Sequence, residues 1–284
     1  MITEEYIPSK YKFQVLLSVY NAEPYIARCL ESLNESLSGY DWILVYGDDQ
    51  SEDDSTIEMA RYARQLNCDK VHLFEFDKAK TVGQAKNRLI KEAHNYKKEY
   101  PYILFMDADD EMLPGRPKLA EYIENKNQYA VGSYERLTVN NQKVIMNNNK
   151  FGERMGFGPW ATVFHCDFFQ DDGLFPEDEV CNTGFEDIIT WHHLKEIKNI
   201  DPIIAPLEDP VHRYIERNGS TSKQENVNYQ RNLYWGISKL IKENQRDVYT
   251  NPLSRQEAEE SMNRYIESKK QKNTDSALHP LDNV

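Results

Sequence analysis

Tyr102-Ile103-Leu104-Phe105-Met106-Asp107-Ala108-Asp109-Asp110 is the stretch on which the reading of this chain turns. A short apolar run of this length reads as a buried strand, and three carboxylates follow it within four positions. Two carboxylates one residue apart at a strand end cannot both point into a core. Asp107 and Asp109 can share one hard divalent cation, Mg2+ or Mn2+, which prefers oxygen ligands and bridges readily to phosphate oxygens. Alternatively, one binds the metal while the other holds a ribose hydroxyl. The plain alternative is a solvated acidic turn that caps the next helix.

The same arrangement occurs upstream. Trp42–Tyr46 runs into Gly47-Asp48-Asp49-Gln50-Ser51-Glu52-Asp53-Asp54, and a third cluster, Phe185-Glu186-Asp187, opens a helix-like stretch. Carboxylates this dense repel one another unless positive charge sits between them. A divalent cation holding a diphosphate is the simplest such charge, which implies a metal-dependent enzyme acting on a nucleotide-linked group. A carboxylate in the Asp48-Asp49 pair can accept a hydrogen bond from a nucleobase imide N–H; its plain alternative is an acidic loop leading into a helix cap. For Glu186-Asp187 that alternative is capping of a helix amino end.

Outward from these clusters the first half alternates strand and helix signals. Phe13–Val19, Trp42–Tyr46, Val71–Phe76 and Tyr102–Met106 read as strands. Glu23–Leu37, Ser55–Leu66 and Val82–His94 read as helices, the first with Ile26, Leu30, Leu33 and Leu37 on one face. This order predicts an α/β fold with a mixed, mainly parallel sheet flanked by helices, in which ligands bind beyond the carboxyl ends of the strands. The second half is less regular. Strands are expected over Tyr129–Val139 and Lys143–Met146, with a turn at Asn140-Asn141, and over Trp160–Cys166 and Val211–Ile215. A polar loop is expected over Asn147–Pro159 and a helix over Asp187–Ile197. Beyond Thr221, Val227, Leu233, Tyr234, Ile237, Leu240 and Ile241 line a helical face, and a second helix runs from about Arg255 to Lys270.

A 284-residue chain of this hydrophobic content buries a substantial core. Its net charge of −13 opposes a nucleic-acid platform over the whole surface, although residues 216–284 are less acidic than the rest. Cys29, Cys68, Cys166 and Cys181 show no metal-ligand spacing and read as reduced core residues. Met1–Lys10 has no apolar signal core, and no stretch approaches a membrane span. The expectation is a soluble, cytoplasmic protein without integral membrane contact.

Several motifs together resemble family-2 glycosyltransferases. Ser18-Val19-Tyr20-Asn21 with Glu23 is similar to that family's opening. Asp48-Asp49-Gln50-Ser51-Glu52-Asp53 resembles its DDGSxD element, and Gly83-Gln84-Ala85-Lys86-Asn87 its G-x-A-R-N helix start. Phe105–Asp110 resembles its metal motif. Pro159-Trp160, Phe175-Pro176-Glu177 and Glu186-Asp187 resemble its acceptor-side elements, and His212-Arg213-Tyr214 through Arg217 and Ser220 its closing segment. The resemblance covers residues 13–222. It implies a GT-A domain over 1–222, with a nucleotide-sugar half (1–110) and an acceptor half (111–222). A helical extension (223–272) and a disordered tail (273–284) follow.

The resemblance also implies roles. Ser18, Tyr20, Asn21, Glu23, Asp49, Ser51, Lys86, Asp107 and Arg217 would bind the nucleotide sugar. Asp109 would be the main metal ligand, with Asp107 and His212 as further ligands, and Trp160 would stack on a sugar. Asp187, beside Glu186, would be the general base of an inverting transfer from a UDP-sugar, assisted by Mn2+ or Mg2+. The acceptor would be a glycan, a protein or a hydroxymethylated base in phage DNA; DNA contact would fall to Lys239, Lys242 and Arg246. Two positions depart from the pattern. Gln50 stands where the family has glycine, and Lys86, where it has arginine, lacks bidentate geometry.

Other classes fit less well. A phosphohydrolase would carry its DxD motif on the first strand, a dehydrogenase needs a G-x-G-x-x-G turn after that strand, and a nucleotidyltransferase a glycine-rich basic loop there. Binding of a nucleotide or carbohydrate without turnover remains the alternative.

Overall fold

The computed structural model describes residues 10–146, 158–169, 173–177, 186–217, 227–244, 246, 251 and 254–277. Most of the loop expected over 147–159 lies outside them, as do Cys181, Phe185, Ser220 and the side chains of Val227 and Tyr234.

Lys12–Val19 (β1), Asp41–Asp48 (β2), Lys70–Glu75 (β3) and Tyr102–Asp107 (β4) alternate with helices Glu23–Ser36 (α1), Ser55–Ala63 (α2) and Val82–Ala93 (α3). β1 runs parallel to both β2 and β4, and β2 to β3. Tyr129–Val131 (β6), Thr162–His165 (β9) and Ile203–Ile204 (β10) extend the sheet to the order β10-β6-β9-β4-β1-β2-β3, with β9 antiparallel to both its neighbours. The expected mainly parallel α/β sheet is therefore present.

Strand alternation divides the core between the two faces of this sheet. Val15, Leu17, Leu44, Tyr46, Leu104 and Met106 pack with Ile26, Leu30 and Leu33 of α1 and Met59 of α2. Leu16, Ile43, Val45, Ile103 and Phe105 pack with Leu89 and Ile90 of α3 and with Trp191 and Leu194 of helix Glu186–Glu196 (α4). Each such side chain, fully withdrawn from water, contributes roughly 1.5–3 kcal/mol.

A second, smaller sheet begins directly after Asp110. It comprises Glu111–Met112 (β5), Tyr134–Leu137 (β7), Lys143–Met146 (β8) and His212–Ile215 (β11), in the order β5-β11-β7-β8. The single strand expected over Tyr129–Val139 is thus two strands in two sheets. The break falls at Gly132, where a Cβ would stand 2.5 Å from Val211; only a residue without a side chain lets the chain pass there. Trp160 lies in a 3-10 turn, Pro159–Ala161, ahead of β9 rather than within a strand.

The C-terminal helices are Val227–Asn244 (α5) and Arg255–Ala277 (α6). Leu233, Ile237, Leu240 and Ile241 of α5 bury against Ala258 and Met262 of α6 and Ile189 of α4. At the start of α6, Ser254 Oγ accepts from Glu257 N, and Glu257 Oε2 accepts from Ser254 N at 3.0 Å, a reciprocal capping box. The helix continues through 273–277, which the sequence reading had placed in a disordered tail.

Candidate active site

Strand register assembles the acidic clusters. Val19 lies opposite Asp48 and Ser18 opposite Asp107, so the first two clusters leave the same carboxyl-terminal edge of the sheet on either side of β1. Asp49 N then donates to Val19 O at 2.9 Å.

Several residues expected at the nucleotide tie the two loops of this edge together. Asn21 N donates to Ser51 Oγ at 3.0 Å, and Asn21 Oδ1 accepts from Glu52 N at 2.7 Å. Glu23 N donates to Asp53, and Asp48 accepts from both the backbone and the hydroxyl of Ser51. Gln50 sits in the left-handed region at φ 57°. That explains why glycine suits the position: there a side chain costs about 1–2 kcal/mol. Tyr20 is exposed, its hydroxyl accepting from Lys78 Nζ at 2.7 Å while the same ammonium stands 4.4 Å from the ring centroid. Asp49 accepts from Ala79 N, and Arg88 lies 3.7 Å away. Arg88 therefore supplies the cation beside Asp49.

Lys86, on α3, faces Asp107 and the third acidic cluster. It is buried, and its Nζ donates to Glu186 Oε1 at 2.7 Å. Burial alone would lower its pKa; the carboxylates of Glu186, Asp107 and Asp187 outweigh that and hold it above the ordinary lysine value. The neighbouring motif positions also reach across. Asn87 Nδ2 donates to Phe175 O and Glu177 Oε1, and Asn87 Oδ1 accepts from Leu174 N and Phe175 N. A Cβ on Gly83 would stand 2.2 Å from Pro176 O. The third acidic cluster is in this way drawn to the second: Asp187 is half-buried in the first turn of α4, and the charge of Glu186 reaches Asp107.

At the metal motif, burial raises the pKa values of Asp107, Asp109 and Asp110, and neighbouring carboxylates raise them further. Asp109 pairs with Arg217 Nη2 at 2.6 Å, and that guanidinium stacks over Tyr25. His212 is fully buried, with Nε2 3.0 Å from Asp110 Oδ2 and Nδ1 without a hydrogen-bond partner. Burial and the nearby Arg116 push its pKa well down, leaving the ring neutral. Its ring stacks on Trp160, which continues to Tyr214 and meets Tyr134 edge-on. Trp160 is thus half-buried in an aromatic stack.

Among the described residues no three carboxylate, imidazole or thiol groups form a ready cage for a metal ion. Yet Asp107 and Asp109 are hard oxygen donors whose pKa values stay raised despite Lys86 and Arg217, and the unpartnered His212 Nδ1 adds an imidazole nitrogen. This set fits a cation whose remaining positions are filled by phosphate oxygens and water, the usual habit of Mg2+.

Two structural supports escaped the sequence reading. Arg116 is fully buried, donates to Phe105 O, Pro159 O and Thr162 O, and is pushed down to about 9 by burial against the pull of Asp107 and Asp110. It lies in a Pro-Gly-Arg-Pro turn whose composition carries no sign of burial. Asp110, the third acid of the motif, accepts from Ile215 N at 2.9 Å and holds β11 to the strand end; its position beside Asp109 was the available signal.

Comparison with known proteins agrees with this geometry. The model of glycosyl transferase family 2 matches residues 14–171. Teichoic acid poly(glycerol phosphate) polymerase of Staphylococcus epidermidis is 31% identical over 101 residues, covering 36% of this chain and 13% of that protein. Minor teichoic acid biosynthesis protein GgaB of Bacillus subtilis is 27% identical over 189 residues, covering 61% of this chain and 20% of that protein. The chain therefore spans a fifth or less of the curated relatives it matches. S. aureus TarS 1-349 in complex with UDP-GlcNAc superposes with a TM-score of 0.53 at 19% identity, over 81% of this chain and 66% of that one. Mannosyltransferase PcManGT from Pyrobaculum calidifontis, in complex with GDP-Man and Mn2+, superposes with a TM-score of 0.57 at 16% identity, over 85% of this chain and 67% of that one. At such identities the likeness speaks to fold. The match over more than half of the sequence speaks to family, and the chain belongs to glycosyl transferase family 2.

Proposed function

We propose that this glycosyltransferase moves a sugar from a UDP-sugar donor to an acceptor hydroxyl, with inversion, and that the acceptor is a cell-surface polymer of the teichoic acid class. The convergence of three acidic clusters at one sheet edge carries the reading. The names of the curated relatives and the UDP-GlcNAc complex of TarS support the acceptor and donor classes.

In this reading Asp49 and Tyr20 hold the nucleobase, the first through its carboxylate and the second through its ring. Nucleotide entry requires the Lys78–Tyr20 contact and the Ala79–Asp49 hydrogen bond to open. Asp107, Asp109 and His212 Nδ1 would hold Mn2+ or Mg2+, which supplies Lewis-acid neutralisation of the departing diphosphate. Arg217 turns from Asp109 toward the phosphates and stabilises the charge that develops there. Asp187 accepts the proton of the attacking hydroxyl. One base suffices, because the diphosphate leaves unprotonated. Trp160, with Tyr134 and Tyr214, offers an aromatic wall to the acceptor.

Release of UDP from UDP-GlcNAc in the presence of MnCl2 and purified polyol-phosphate polymer tests the proposal. Acceptor-dependent release that disappears in Asp187→Ala is expected. Release unaffected by that substitution removes Asp187 from the mechanism, and no polymer dependence removes the acceptor class.

A further inference from the structure

Gly83, Lys86 and Asn87 open α3, the helix that leads away from the nucleotide edge, yet their contacts run to the acceptor half. Gly83 admits the backbone of Pro176, Asn87 closes four hydrogen bonds on 174–177, and Lys86 meets Glu186 across 100 residues. We infer that this face of α3 is a clasp that sets the amino end of α4. In it Lys86 acts as a positioning residue that fixes Glu186, and with it Asp187, against strand β4.

Two observations favour positioning over nucleotide contact. The Lys86 side chain is only 6% exposed and Glu186 only 5%, so an ammonium that swung out to a phosphate would leave Glu186 buried without its counter-charge. A buried ion pair is also a poor way to gain stability, since apolar residues of similar size do as well or better. What the ammonium adds is direction. It is a single positive charge facing three carboxylates from two elements: Asp107 at the end of β4, and Glu186 and Asp187 in the first turn of α4. The strand end and the helix end are thereby held in one fixed relation. The Leu174 carbonyl and the Glu186 carbonyl both accept from Thr190 Oγ1, which ties the clasped segment to α4 one turn further on.

This inference rests on the functional reading above, and its test separates the two. UDP binding in MnCl2, measured by calorimetry, and UDP release from UDP-GlcNAc at saturating donor are compared in the wild type, Lys86→Met, Glu186→Gln and the double variant. The double variant removes both charges and so guards against misfolding from a stranded carboxylate. UDP affinity should stay within about threefold of wild type in all three variants, while turnover at saturation falls by about 100-fold, as loss of alignment does. The double variant should be no slower than Lys86→Met, because both changes remove one contact. The clasp is overturned if Lys86→Met weakens UDP binding about tenfold or more while bound donor still turns over normally, if the two losses multiply, or if the folded double variant keeps wild-type turnover. Wild-type protein that neither binds UDP nor releases it overturns the functional reading, and this inference with it.

Discussion

At the residue scale, the chemistry rests on side chains whose neighbours fix what they can do. Asp187, half-buried in the first turn of α4, belongs to a set of carboxylates that share one buried ammonium. Asp187→Ala should therefore lower turnover by roughly 10²–10⁴-fold, the range for loss of a general base, while UDP affinity in MnCl2 stays at its wild-type value. Parallel loss of affinity would show that Asp187 binds the donor instead. Gln50 offers a test in the opposite direction. Its φ of 57° is the strained conformation the family meets with glycine. Gln50→Gly should raise stability by up to about 1 kcal/mol in urea unfolding, the relief of left-handed strain less the added freedom of the unfolded chain; a fall would mean that the Gln50 side chain holds the loop. Both residues were legible in the sequence as motif positions, but their partners were not. Nothing in Lys86 of Gly-Gln-Ala-Lys-Asn announces an ion pair with a residue 100 positions later. Arg88, which stands beside Asp49, lies just outside the motif.

At the element scale, long apolar runs gave themselves away and short ones did not. β1, β2 and β4 each bury four or more residues, and their alternation fits two packed faces. β5 and β10 have two residues each, too few for any period to show. The split of Tyr129–Val139 was hidden because Gly132 is explained only by Val211, which tertiary packing brings to it. Gly83 poses the same kind of constraint between α3 and the segment before α4. Gly83→Ala should push Pro176 away, since backbone cannot yield as a flexible side chain does; we expect a drop in thermal midpoint and faster hydrogen exchange in α4, with α1 unchanged. Uniform exchange across both helices would deny the contact. For α6, the capping box predicts that Ser254→Ala destabilises its first turn by about 1 kcal/mol, read as faster exchange of the amides after Ser254.

At the scale of the whole molecule, the sheet topology was legible because β-α alternation and right-handed crossovers leave few alternatives. The placement of the small second sheet against the metal motif was not, since it depends on Asp110 reaching His212 and Ile215 more than 100 residues away. No helix among the described residues is long and apolar enough to cross a membrane. The cluster of Asp107, Asp109 and Asp110 has a consequence for overall stability. Burial raises all three pKa values, so the folded state keeps protons that the unfolded chain releases near pH 4. Their contribution is full below that pH and is lost as pH rises through the raised folded values. A cation at the site should offset the loss. MnCl2 is accordingly expected to raise the thermal midpoint more at pH 7.5 than near pH 4, where protons compete for the same carboxylates; an equal shift at both values would place the bound ion elsewhere.

The most direct measurement is a calorimetric titration of UDP into the protein with and without MnCl2, repeated on Asp109→Asn. Cation-bridged recognition at the shared edge of β1, β2 and β4 predicts binding that depends on Mn2+ and weakens by about tenfold or more in the variant, the loss of one charge-assisted contact. UDP bound equally well without the metal, or equally well by Asp109→Asn, would contradict it.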